Sequence, residues 1–332
     1  MTAPRISLSA HVAKECAMLP SAHGDKLARV LGRLAECALS IQDELAHAAL
    51  HGRLGTTGAR NESGDEVKKL DEWGHGCVAA ALDKSGACAA FISEEAEQPL
   101  EFDVRDGLIV CCDPVDGSTS LDVGGCVGTI FGIRPSAGTS PAAPAALSPG
   151  RGQIAAGYVL YGPATVVVYS VGRGVHAFTL DRQKGDFFLT IADMKVPTRG
   201  KTYSINEGNV QSWPPPQRAL VEHLKTRDKP SGRPYSLRYS GAMVADVHRI
   251  FLDGGIFMYP PDMSDPTKPK PKLRLLYEVA PMAFIAEQAG GRASTGTAPV
   301  LDLTAKDYHQ RASILVGSAE DVALAEQFYA RS

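Results

Sequence analysis

Carboxylates standing directly after apolar runs are the residues of this 332-residue chain with the most capacity for chemistry. Three segments carry them: Phe91-Ile92-Ser93-Glu94-Glu95, Ile109-Val110-Cys111-Cys112-Asp113-Pro114-Val115-Asp116-Gly117-Ser118-Thr119, and Leu275-Leu276-Tyr277-Glu278. Strand ends of α/β sheets are where ligands bind, and carboxylates gathered there repel one another unless a cation lies between them. Mg²⁺ suits such a set, because it takes oxygen ligands and binds a few carboxylates together with substrate phosphate. In the central segment Pro114 extends Asp113 ahead of it and Gly117 permits a sharp turn, so two carboxylates can converge from one short loop. Gly117, Ser118 and Thr119 add N–H groups and hydroxyls at a helix start, which is a cradle for phosphate. By itself the hexapeptide is equally what an Asx-rich turn capping a helix looks like; Glu94-Glu95 nearby favours the metal.

The elements that must position these groups can be read from apolar spacing. Leu27, Leu31, Leu34, Ala38, Ile41 and Leu45 mark one face of a long helix, with Asp25 in its first turn. A glycine-rich stretch, 52–64, reads as a mobile loop, and 65–84 as a second helix with Val67, Leu70, Cys77 and Ala81 inward. Short β-like runs follow at 89–92, 108–112, 127–133, 155–160, 165–171 and 187–191, apolar enough for a sheet covered on both faces. The Pro- and Ala-rich insert 135–151 reads as a surface excursion. Beyond it lie helices near 217–225 and 243–251, a strand at 256–259 and a helix at 278–290 with Pro281 in its first turn. Ser318 and Asp321 cap a last helix to about Ala330. The length exceeds what one core serves, so two domains are expected, 1–194 and 195–332.

Composition removes other classes. The chain has 34 Lys+Arg against 37 Asp+Glu, a net charge of −3, which argues against nucleic acid as a partner. No apolar run reaches the roughly 18 residues of a membrane helix, and Met1–Arg5 lacks the apolar run of a signal peptide. The seven cysteines are scattered with no CxxC pair, so they read as reduced thiols of a cytoplasmic protein. There is no GxxxxGK[ST] loop and no HExxH.

The stretch Asp113-Pro114-Val115-Asp116-Gly117-Ser118 resembles the signature of the Mg²⁺-dependent, lithium-sensitive phosphatase superfamily. More narrowly, the chain resembles class I fructose-1,6-bisphosphatase and sedoheptulose-1,7-bisphosphatase. Ordered matches span nearly its whole length, among them Gly64–Asp71, Val127–Gly132, Ser204–Gly208, Arg238-Tyr239, Met243–Arg249, Lys272–Glu278 and Ala289-Gly290-Gly291. The resemblance implies an α/β (α+β) fold, the layered α-β-α-β-α sugar phosphatase fold with two mixed sheets. Carried over by position, it puts metal ligands at Asp65, Glu94, Asp113, the carbonyl of Val115, Asp116 and Glu278, holding two or three Mg²⁺, with Mn²⁺ or Zn²⁺ as substitutes. Asp71 and Glu95 would deprotonate the attacking water, and Ser118 and Thr119 would hold the 1-phosphate. Asn206, Tyr239, Tyr259 and Lys272 match contacts to the sugar and its distal phosphate, and Arg274 a group near the 1-phosphate. Composition alone would make Lys272 and Arg274 solvated bases. Arg238 matches an arginine donated across a subunit interface, implying a homodimer or homotetramer; His248 reads as a packed helical histidine.

Two departures qualify the resemblance. Asn209 replaces a tyrosine usual in fructose bisphosphatases, and its shorter side chain leaves space for one more sugar carbon, so sedoheptulose 1,7-bisphosphate is slightly favoured over fructose 1,6-bisphosphate. The family's AMP pocket is degenerate: its glycine turn is here Ala22-His23-Gly24-Asp25-Lys26-Leu27, and its Lys-Tyr pair is Gly107-Leu108. The expected reaction is metal-assisted hydrolysis of a ketose bisphosphate at C1 without a covalent intermediate. Its rivals are an inositol- or nucleotide-phosphate phosphatase of the same superfamily and a catalytically idle metabolite-binding protein.

Overall fold

Apolar stripes at helical spacing make the outermost layer, formed by α1 (Leu8–Ala17), α2 (Ser21–His47) and α3 (Lys69–Ser85) of the computed structural model, which describes residues 5–60, 66–138 and 141–331. Helix α2 buries Leu27, Leu31, Leu34, Ala38 and Ile41 as the spacing requires. It starts at Ser21, however, so Asp25 lies beyond its first turn, and Ala22–Leu27 is helix rather than a turn. Helix α3 buries Leu70, Asp71, Gly74, Val78 and Leu82, with Cys77 and Ala81 at the margin of that face. Between α2 and α3, β1 (Thr56–Arg60) pairs antiparallel with β2 (Glu66–Lys68). Backbone pairing therefore orders much of a stretch whose lack of apolar periodicity suggested only a loop. The expected ligand Asp65 lies outside the described residues.

The main sheet comprises β3 (Cys88–Ser93), β4 (Leu100–Glu101), β5 (Leu108–Asp116), β6 (Val127–Pro135), β7 (Ala155–Tyr161), β8 (Thr165–Ser170), β9 (His176–Asp181) and β10 (Asp186–Ile191). Its order is β10-β9-β8-β7-β6-β5-β3-β4, with β3 and β5 parallel and the other neighbours antiparallel. β3 and β5 are buried along their entire length, as their continuous apolar character demands. β9 escapes a search for apolar runs because His176, Thr179 and Asp181 interrupt it. The insert is not wholly superficial. Ala142, Ala143 and Ala146 are buried, and the Glu101 carboxylate accepts from the N–H groups of Ala142 (3.0 Å) and Ala143 (2.8 Å).

The short α4 (Ser118–Leu121) lies between β5 and β6. The second half supplies β11 (Thr202–Ser204), α5 (Pro215–Lys225), β12 (Ser236–Leu237), α6 (Met243–Asp253), β13 (Ile256–Tyr259), β14 (Leu273–Arg274), α7 (Ala280–Gln288), β15 (Arg292–Ser294), β16 (Arg311–Ala312), β17 (Ile314–Gly317) and α8 (Ala319–Ala330). A second mixed sheet runs β12-β11-β13-β17-β15, while β14 pairs with β16 alone. Three apolar clusters define the layers. One joins α1–α3 to one face of the main sheet through Leu31, Leu82, Cys112 and Phe131. The second fills the space between the sheets with α6 and α7, including Cys111, Val247, Ile285 and Val316. The third packs α5 and α8 on the far face, through Leu220, Met258 and Val322. The architecture is the α-β-α-β-α layering expected, and neighbours Cys111 and Cys112 face opposite layers.

Ser318 stands at the N-cap of α8 without the expected capping box. Its hydroxyl accepts from the N–H of Gly255 at 2.9 Å, and Asp321 accepts from Gly200 N (2.8 Å) and Tyr235 Oη (2.7 Å). Both side chains tie separate segments together, a partner choice that local sequence does not contain. Among the described residues no helix is long and apolar enough to cross a membrane.

Candidate active site

The parallel pair β3 and β5 ends at the same edge, and this delivers two acidic segments side by side. Glu94 and Glu95 follow β3 directly, and the N–H of Glu94 donates to the carbonyl of Cys112 at 3.2 Å. Asp113 and Asp116 belong to β5 itself, since the strand continues through the signature instead of ending before it. Residues three apart on a regular strand face opposite ways. Here Asp113 pairs with Ile130 while Asp116 pairs with Gly128, so one extra residue is accommodated and both carboxylates turn to one side. Val115 lies in that irregular segment and is buried. Glu278 arrives on a single π-helical turn, Leu275–Val279, inserted ahead of α7, with Pro281 in the first turn of α7.

Carboxylate oxygens of Asp113, Asp116 and Glu278 lie within 4.8 Å of one another, as do those of Glu94, Glu95 and Asp113. Each is oriented locally. Asp116 accepts from the first N–H groups of α6, Met243 (3.3 Å) and Val244 (2.7 Å). Asp113 accepts from Val115 N at 3.0 Å, and Glu278 from Arg274 N at 2.6 Å. Arg274 is buried with its Nε 3.7 Å from Glu94 Oε1, so the solvated reading of this arginine is excluded.

Asp71, at the start of α3, accepts from Ser118 Oγ at 3.2 Å through Oδ2, while its Oδ1 is buried with no hydrogen-bond partner. Burial is the main reason that Asp71 rises to about 7, against its Ser118 bond and with added repulsion from Glu94. Burial, then Asp71 and Glu94, push Glu95 up to about 9. Asp116 rises to about 7 through burial despite its two N–H donors. Asp113 and Glu278 are pushed well above the carboxylate range by burial and neighbouring acids. So many acids resisting ionisation, beside an orphaned carboxylate oxygen, fit a site for divalent cations. Glu94, Glu95, Asp113, Asp116 and Glu278 are the residues able to hold them.

Gly117 adopts φ 77°, which turns the chain from β5 into α4 and presents Ser118, half-buried, and Thr119, exposed. Asn206, Asn209, Tyr259 and Lys272 line a cavity of about 110 Å³, together with Trp213 and Lys270, and Lys272 is two residues from Arg274, which faces Glu94. Arg238 and Tyr239 line an adjoining groove with Asn206 and Arg249. Burial raises the Tyr239 hydroxyl, and the nearby Tyr259, Asp246 and Asp116 add to this electrostatically. Arg238 is exposed, donating to its neighbour's carbonyl, Leu237 O, at 2.7 Å. His248 is a packed helical histidine, its Nδ1 2.9 Å from the Tyr158 hydroxyl. Sequence reasoning missed Lys270 and Arg249. Lys270 is two residues from Lys272 and Arg249 is on α6 beyond Asp246, so spacing alone could have raised both.

A buried carboxylate cluster beside a cationic and amide-lined recess defines a metal-dependent phosphate-processing enzyme. The chain belongs to the fructose-1,6-bisphosphatase family: residues 6–192 match the family's N-terminal domain and 196–330 its C-terminal domain. It is thus a phosphoric monoester hydrolase. Enzymes of this family are metal-dependent, act on sugar bisphosphates and are typically oligomeric. A class 1 fructose-1,6-bisphosphatase of Thermosynechococcus vestitus is 44% identical over 97% of this chain and 92% of its own length. One from Nitratidesulfovibrio vulgaris is 42% identical over 99% of both. The crystal structure of Leishmania major fructose-1,6-bisphosphatase in holo form superposes with a TM-score of 0.90 at 34% identity, covering 99% of this chain and all of that one.

Proposed function

We propose that this enzyme hydrolyses the 1-phosphate of fructose 1,6-bisphosphate with Mg²⁺. The observation that carries the proposal is the convergence of five carboxylates at the β3 and β5 ends next to the recess lined by Lys272 and Tyr259. Sedoheptulose 1,7-bisphosphate, which Asn209 slightly favoured, is the second reading, because Asn209 does line that recess. The similar proteins bear the fructose name, and they favour fructose.

Divalent cations bound among Glu94, Asp113, Asp116, Glu278 and the Val115 carbonyl would supply charge neutralisation to the phosphoryl oxygens. Two or three Mg²⁺ are proposed, with Mn²⁺ or Zn²⁺ as substitutes. Ser118 and Thr119 hold the 1-phosphate at the Gly117 turn. Asn206, Asn209, Tyr239, Tyr259 and Lys272 orient the distal phosphate and sugar, while Arg274 keeps Glu94 in place near the reacting end. Asp71, near 7 and with Oδ1 unengaged, accepts the proton of the attacking water. Glu95, higher still, shares this task once cationic charge lowers it. The exposed Arg238 reaches a neighbouring subunit's site in a homodimer or homotetramer. Free thiols at all seven cysteines support a reducing, cytoplasmic setting, and family matches that end at 192 and resume at 196 support a domain boundary at 194/195.

The test is phosphate release with and without Mg²⁺, comparing kcat/KM for the two sugar bisphosphates on one preparation. Asp116→Ala should abolish turnover. Near-normal activity of that variant, or phosphate release indifferent to Mg²⁺, would overturn the proposal.

A further inference from the structure

We infer that His309 is a positioning residue that fixes the Glu94-Glu95 segment against the Glu278 turn and so sets divalent-cation affinity. The inference rests on the proposed cation-binding role of those carboxylates. His309 comes from the loop before β16, far from both segments in sequence. Its Nε2 lies 3.2 Å from the carbonyl oxygen of Glu97, two residues past Glu95. Its Nδ1 lies 2.7 Å from the Tyr277 hydroxyl, one residue before Glu278. The backbone of the same residue also takes part, its carbonyl accepting from Arg274 Nη1 at 3.2 Å, and Arg274 in turn faces Glu94.

The chemistry fixes the roles in this bridge. A carbonyl oxygen can only accept, so Nε2 carries the hydrogen and donates to Glu97. In the neutral ring Nδ1 is then the acceptor for the Tyr277 O–H. The imidazole spans the two segments with one donor and one acceptor, and the ring is set edge-on to Tyr277 at 6.0 Å between centroids. The backbone N–H of His309 donates to Asp307 Oδ1 at 3.0 Å, which anchors the loop itself. Segments carrying mutually repelling acids have reason to separate in the absence of cations, and an imidazole strap opposes that. Groups one step outside a metal's ligands orient them in this manner.

Side chains that preserve one end of the strap separate positioning from general packing. His309→Gln keeps an N–H near the Nε2 position, toward Glu97. His309→Asn keeps only an acceptor near Nδ1, and His309→Phe keeps neither. Mn²⁺ binding to the metal-free protein, followed by electron paramagnetic resonance, reads the site without turnover. The dissociation constant should rise about tenfold in His309→Phe, and by a similar factor in His309→Asn and His309→Gln, because each of these breaks one end of the strap. Should His309→Phe fail to fold, the Asn and Gln variants decide. Wild-type affinity in His309→Asn or in His309→Gln would overturn the inference. A wild-type chain that binds no Mn²⁺ would overturn the cation reading beneath it as well.

Discussion

Gly117→Ala is the smallest change that should disconnect the signature from its support. Gly117 has φ 77°, a conformation that costs an L-residue about 1–2 kcal/mol. A Cβ built there would lie 3.0 Å from the Cα of Ala242 and closer still to its Cβ. Neither is the end of a flexible side chain, so backbone must move, and overpacking of this kind costs about 1–3 kcal/mol. Together these give a destabilisation of about 2–5 kcal/mol, a large share of the roughly 5–15 kcal/mol that holds a domain folded. Ala242 immediately precedes α6, whose first N–H groups hold Asp116. Displacing α6 therefore misplaces a carboxylate of the site, and a shift near 1 Å in such a constellation costs on the order of 100-fold in rate. Gly124→Ala is the control: its φ is 73°, yet nothing lies within 4 Å of a Cβ there, so it should show the backbone strain alone and retain activity. Urea unfolding in EDTA and phosphate release at saturating Mg²⁺ measure the two effects. Equal stability losses in both variants, or full activity in Gly117→Ala, would refute the reasoning.

Other outcomes follow from the same geometry. Asp71 and Asp116 are raised from 3.8 to about 7 in the folded chain, so the unfolded chain loses those protons first and the metal-free protein should lose stability as pH rises from about 4 to 7. Thermal melts in EDTA across this range should fall with pH and Mg²⁺ should reverse the fall at pH 8; melts that rise with pH in EDTA would contradict the cost assigned to ionising these buried carboxylates. Asn209→Tyr should shift kcat/KM toward fructose 1,6-bisphosphate by narrowing the recess, and an unchanged ratio would remove the carbon-length argument. AMP in large excess should inhibit weakly or not at all, because Gly107-Leu108 offers neither cation nor aromatic ring; potent inhibition in the activity assay would refute this.

How much of this was legible beforehand varies with the range of the interaction involved. The stripe of α2 and the full burial of β3 and β5 could be read because side-chain periodicity repeats within a few residues. β1 and β2 could not, since their order comes from backbone pairing across a stretch with no apolar pattern. Ser318 and Asp321 illustrate the opposite error: their spacing is that of a capping box, but Gly255, Gly200 and Tyr235 compete successfully for their oxygens.

The sequence by itself determined the chemical character of this protein. Acids placed after apolar strands, with glycine and hydroxyls behind them, already specify oxygen ligands and a phosphate cradle, because residue type and local turn geometry suffice for both. Only the tertiary structure decided how those acids meet. The extra residue in β5 turns Asp113 and Asp116 to one side, the N-terminus of α6 holds Asp116, and a π-helical turn brings Glu278 within reach. The His309 strap to Glu97 joins groups 212 residues apart. Such contacts depend on register and on layers packing together, and neither leaves a mark in the spacing of neighbouring residues.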